Sequence, residues 1–70
     1  MIPLKLASPG EEVVIQKIGG SPDVKKHLED LGFTVGGKVT VISENGGNLI
    51  VNVRDSRIAL DGAMAMKIMI

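Results

Sequence analysis

The sequence predicts a mainly β domain: a small barrel of about five short strands with one short α-helix. Three observations lead there. Several runs of four to seven residues are rich in Val, Ile and Leu, and clusters of Gly, Pro, Asn, Asp or Ser break them. Only one stretch spaces its apolar residues as a helix does. The chain has 70 residues and no cysteine, so a single domain over residues 1–70 is the natural count. Its core is small and unstapled, and with Phe33 as the one aromatic residue it must be aliphatic.

The elements follow in order. Ser8–Glu12 reads as a turn, because Pro9 fixes φ and Gly10 permits the bend. Glu12–Ile18 is β-branched and apolar and predicts one strand, ended by Gly19-Gly20. The period then changes. Ser21 is a good N-cap, Pro22 suits the first helical position, and Asp23 favours the positive end of the helix dipole. Val24, Leu28 and Leu31 make one apolar stripe, while Lys25, Lys26, Glu29 and Asp30 lie elsewhere on the cylinder. Gly32 is the expected C-terminal cap.

Lys38–Ser43 predicts a strand, and Asn45-Gly46 the hairpin turn that follows it. Leu49–Arg54 returns as its partner, with Leu49, Val51 and Val53 facing one way and Ile50, Asn52 and Arg54 the other. Asp55-Ser56 allows a tight turn into Arg57–Leu60. Asp61–Ala65 suits one helical turn, and Met66–Ile70 a last strand. Strands this short, joined by tight turns, suit a barrel that removes its own sheet edges.

The run Gly32–Val39 has the form G-x-x-x-x-G-K. It is not a phosphate-binding loop. Val39 stands where Mg²⁺ needs a hydroxyl. The order is also reversed, with the glycines following a helix instead of opening one. Nor can 70 residues build the parallel sheet of such enzymes. Gly36 and Gly37 read instead as the turn that swings the chain into a strand.

Composition excludes further classes. Eight Lys/Arg balance eight Asp/Glu, so there is no general attraction to nucleic acid or anionic lipid. The basic pairs Lys25-Lys26 and Arg54/Arg57 lack the stacking aromatics of nucleic-acid binders. Catalysis is not expected, since the chain has one His, no Cys and no Tyr. His27, with Asp23 and Asp30 at helical spacing, offers at most a weak partial metal site. Met64, Met66 and Met69 have thioethers that suit Cu(I), but Met more often fills gaps in a small core or forms an adaptable contact surface. No cofactor is expected, and Fe²⁺ binding would be weak. The stretch Met1–Glu12, with one Lys and no long apolar run, does not read as a signal peptide, and no apolar run nears the roughly 20 residues that cross a bilayer. The expected location is the cytoplasm.

Several strands are apolar on both faces: Val14 and Ile18 beside Val13 and Ile15, Ile42 beside Val39 and Val41, and Ile50 beside its neighbours. A barrel interior accepts one set, and the helix can cover part of the other. Whatever stays uncovered is a candidate protein-binding patch. The expected partner-binding residues are Val14, Ile42, Ile50, Met64 and Met66, with Gly10, Gly32, Gly36, Gly37 and Gly46 as structural turns.

The run "LEDLGFTVGGKVTVI" resembles the FeoA family, the small cytosolic component of bacterial ferrous iron transport. Leu28, Leu31, Gly32, Gly36, Val39, Val41 and Ile42 match its L-x-x-L-G-(aliphatic)-x-P-G-x-x-V-x-V-(I) pattern, with Phe33 at the aliphatic position. The opening matches at Leu4, Ala7, Gly10, Ile15 and Ile18, the segment Leu49–Leu60 resembles the late hairpin, and Ala65, Ile68 and Ile70 match the last strand. Val35, His27, Asn48 and Asp55 depart from the pattern. The resemblance implies an SH3-like β-barrel with the helix inserted after the second strand. It implies an accessory or regulatory protein, not an enzyme. The implied partner is the membrane ferrous iron transporter with its cytosolic GTPase domain, through which the chain would sit at the inner face of the membrane. The same fold resembles the C-terminal SH3-like domain of iron-dependent transcriptional regulators, although the chain has no DNA-binding helix pair. The alternatives are a small SH3-like RNA-binding module and a weak metal-binding protein.

Overall fold

The computed structural model describes all residues, 1–70. A 3₁₀ turn at Leu4–Leu6 is followed by β1 (Glu12–Val14), β2 (Lys17–Ile18), α1 (Pro22–Asp30), β3 (Lys38–Asn45), β4 (Asn48–Val53), β5 (Ser56–Leu60), α2 (Gly62–Ala65) and β6 (Ile68–Met69). The strands form two antiparallel sheets, one in the order β1-β3-β4-β5 and the other pairing β2 with β6.

The segment expected as one strand, Glu12–Ile18, is two strands in two sheets. The reason is local. Ile15 leaves β1 to pair with the turn after α1, donating its N–H to the Gly37 carbonyl (2.9 Å) and accepting from the Gly36 N–H (2.8 Å). Gln16 then donates to the Met69 carbonyl (2.7 Å), which carries the chain into the small sheet. Ile2 and Ile70 exchange two backbone hydrogen bonds and tie the chain ends together.

Ser21 caps α1, its hydroxyl accepting from the Val24 N–H at 3.3 Å, with Pro22 in the first turn. Gly32 follows the helix at φ 109°, a conformation a side chain would resist. Asp61 caps α2 in the same way, accepting from the Met64 N–H at 2.8 Å.

Turns moved by one residue at two places. The β3–β4 turn centres on Gly46-Gly47 (φ 60° and 87°), so Asn45 closes β3 and does not enter the turn. The β4–β5 turn centres on Arg54-Asp55 (φ 49° and 65°), which withdraws Arg54 from β4 and adds Ser56 to β5. Positive φ at both central residues is the turn geometry that matches strand twist. The last strand is shorter than Met66–Ile70, because Lys67 still belongs to the turn after α2.

One core of 13 buried apolar residues joins the pieces. Val39, Val41, Leu49, Val51, Val53 and Leu60 come from the larger sheet, Leu28 from α1, Ala65 from α2 and Ile68 from β6. Phe33 and Leu4 are fully buried at its centre. The architecture is mainly β with α1 after the second strand, as expected. It is not a closed barrel: the two sheets share no ladder, and β5 pairs with β4 alone. A free sheet edge therefore remains where none was expected.

Candidate interaction surface

The larger sheet has an inward and an outward face, set by strand alternation. Val39, Val41, Leu49, Val51, Val53 and Leu60 point inward and are buried. Thr40, Asn52 and Arg57 form a polar row across β3, β4 and β5 on the outward face. Both helices bury their apolar positions with the inward residues. Of the second apolar set, Ile18 packs against the core and lines a groove with Lys25 and Glu29 of α1, whereas Ile42 and Ile50 lie on the outward face of the larger sheet.

A β-bulge interrupts the outward face at β3. Val41 pairs with Val51, yet the next register position pairs Ser43 with Ile50, so Ile42 is an extra residue on β3. Ile42 points outward by alternation after Val41, and with Ser43 it stands opposite Ile50, whose neighbour on the other side is Ala59 on β5. Ile42 (38% exposed), Ile50 (half-buried) and Ala59 (exposed) thus make a short apolar strip across three strands. The strip lies next to the Thr40–Asn52–Arg57 row, and no basic side chain takes part in any of the four side-chain hydrogen bonds.

The other expected contact residues lie apart from this strip. Val14 pairs with Lys38, beyond the polar row, and borders a groove with Ile2, Val13 and Ile70. Met64 is half-buried against the core, so it is largely spent on packing. Met66 is 48% exposed just after α2. The five residues therefore fall in three places. Ile2 (48% exposed) and Leu6 (65% exposed) are surface apolar groups that sequence reasoning missed, since nothing in the N-terminal pattern separated them from the core residue Leu4. Met69 is half-buried opposite Lys17 in the small sheet, whereas Met64 and Met66 lie on and just after α2.

His27 is exposed on α1, and no three His, Cys, Asp or Glu side chains come together. Between α1, β2 and the Thr34–Gly37 turn runs a groove lined by Gln16, Lys17, Ile18, Lys25, Glu29 and Val35. Its two lysines face a single carboxylate among neutral side chains, a mixed lining without a nucleophile–base pair. The Gly32–Gly37 segment runs from the end of α1 into β3, so its glycines do not meet a helix N-terminus. No helix is long and apolar enough to cross a membrane.

Residues 2–70 match the FeoA domain family. This chain belongs to that family. A protein of Methanocaldococcus jannaschii named "Putative Fe(2+) transport protein A" is 37% identical over 70 residues, covering 100% of this chain and 85% of that one. Among solved structures, an iron uptake regulatory protein, FeoA, superposes with a TM-score of 0.86 at 27% identity, covering 96% of this chain and 89% of its own. FeoA of Stenotrophomonas maltophilia, a zinc complex described as a prokaryotic SH3 domain protein, superposes with a TM-score of 0.85 at 21% identity. That pair covers 99% of this chain and 88% of the other. The SH3-like fold of this FeoA-family chain thus stands on its own topology and on these likenesses.

Proposed function

We propose that this FeoA-family chain is a small cytoplasmic accessory protein of ferrous iron transport that acts by binding, without catalysis. Its partner is the cytosolic, GTPase-bearing region of the membrane ferrous iron transporter, which would hold it at the inner membrane face. Family membership supports the transport role. The observation that carries the binding role is the uncovered strip Ile42–Ile50–Ala59, which strand alternation places on the outward face and neither helix shields. Contiguous apolar surface beside a polar row suits a modest, reversible protein contact.

The test is an amide chemical-shift titration with the soluble cytosolic part of the transporter from the same organism, with and without guanine nucleotide. Saturable shifts at Ile42, Ile50 and Ala59 are expected, and Ile42→Asp should weaken them. Shifts confined to the Val14 groove or to Met66 would move the contact there. A flat titration under both conditions would overturn the proposal.

A further inference from the structure

Asn45-Gly46, at the tip of the β3–β4 hairpin, is the chain's one Asn-Gly step. Asn45 is exposed, and its side-chain amide enters none of the four hydrogen bonds that side chains make. Gly46 has φ 60° and no side chain to shield its backbone nitrogen. Its N–H lies outside every strand and outside the remaining backbone hydrogen bonds, so this nitrogen is unengaged. The other two asparagines differ. Asn48 precedes Leu49, and Asn52 precedes Val53. The two-residue turn at Arg54-Asp55 makes Val53 and Ser56 a hydrogen-bonded pair, and alternation turns the Leu49 N–H toward β5 as well. Both of those nitrogens are held in the ladder, behind bulky side chains.

We propose that Asn45 is a site of spontaneous deamidation. The Gly46 nitrogen attacks Cγ of Asn45, and the new C–N bond closes a five-membered cyclic imide. The bond from Cγ to the side-chain nitrogen breaks, and that nitrogen leaves as ammonia with the Gly46 proton. One water then opens the ring at either carbonyl. Opening at Cγ leaves aspartate. Opening at the main-chain carbonyl leaves isoaspartate, whose main chain runs through Cβ and Cγ. Water is the only co-reactant. One restraint opposes ring closure: pairing with Asn48 holds Asn45 extended, and the ring needs rotation about its Cα–C bond. That pair is the last of its ladder, so it opens at low local cost.

Asp61-Gly62 could close the same ring with loss of water, and it shows what the fold adds. Asp61 Oδ1 is held on the Met64 N–H at 2.8 Å, and Gly62 is wedged against the Gly47 backbone. That step is locked. The same wedge transmits a change at Asn45. Either product adds a negative charge next to Glu44, whose carboxylate accepts the Gly47 N–H at 3.0 Å. Isoaspartate also lengthens the main chain just before the Gly47 carbonyl on which Gly62 rests. The isoaspartate form should therefore loosen α2.

The test incubates the purified protein in mildly alkaline buffer, with a capped peptide of residues Ser43–Leu49 as the unrestrained reference. The folded protein should gain about 1 Da at Asn45. Peptide mapping should split that gain between aspartate and isoaspartate, with Asn48, Asn52 and Asp61 unchanged. Asn45→Gln should abolish the gain. Unfolding in urea should add isoaspartate at Asp61, because cap and wedge are then lost. In the isoaspartate form, hydrogen exchange should rise at Met64 and Ala65, and unchanged exchange there would overturn the coupling to α2. An intact Asn45 once the peptide has fully converted would overturn the inference. So would isoaspartate at Asp61 in the folded protein as fast as at Asn45. None of these outcomes depends on the proposed transport partner.

Discussion

A Cβ on Gly62 would stand 2.7 Å from the carbonyl oxygen of Gly47, so the start of α2 rests directly on the backbone of the β3–β4 turn. This contact joins segments fifteen residues apart in the chain, and it leaves no room for a side chain. Alanine normally favours a helix by roughly 1 kcal/mol over glycine. Here the overlap is with backbone, which cannot swing away. Gly62→Ala should therefore destabilise the fold by about 1–3 kcal/mol, the cost of overpacking. The check is a urea unfolding curve with an unchanged slope and a lower midpoint.

Phe33 is the largest fully buried side chain and the one aromatic residue. Its truncation to Ala should cost about 3–5 kcal/mol. A chain of 70 residues has roughly 4–10 kcal/mol to lose. Phe33→Ala should thus be largely or marginally unfolded at room temperature, seen as collapse of amide dispersion. Full dispersion with a small midpoint change would show that the core closes around the gap.

Arg54 and Asp55 both hold positive φ, which costs a non-glycine residue about 1–2 kcal/mol each. Replacing the turn by Asn-Gly, as Arg54→Asn with Asp55→Gly, should stabilise the hairpin by about 1 kcal/mol. Some of that gain is offset, because the aliphatic stem of Arg54 lies against Gly32. Thermal unfolding of the double variant and of Asp55→Gly alone separates the two effects.

The two caps should differ in consequence. Ser21→Ala removes the acceptor of the Val24 N–H and should cost about 1 kcal/mol. Asp61→Ala removes the acceptor of the Met64 N–H on a helix of only four residues. With so little helix to hold itself, α2 should fray locally. Hydrogen exchange should rise at Met64 and Ala65 after Asp61→Ala, and along α1 after Ser21→Ala. Equal, uniform loss of protection in both variants would argue that the caps serve only the global fold.

The sequence by itself determined what local chemistry can determine. Ser21, Pro22 and Gly32 mark both ends of α1, because caps and φ preferences act within a few residues. The alternation Leu49, Val51, Val53 names the buried side of β4, because side chains alternate along any strand. Tertiary structure decided the rest. Glu12–Ile18 looks like one strand, yet Ile15 divides it by pairing with a turn 21 residues later. Ile42 and Ile50 are both apolar and out of phase with the core, but which strands pair, and the bulge that sets Ser43 opposite Ile50, come from the tertiary fold. Met64, expected at a contact surface, is instead half-buried against the core, and Val14 borders a different groove. The open edge of β5 was invisible for the same reason: whether a strand finds a second partner depends on where distant strands come to lie, and no residue within Ser56–Leu60 records it.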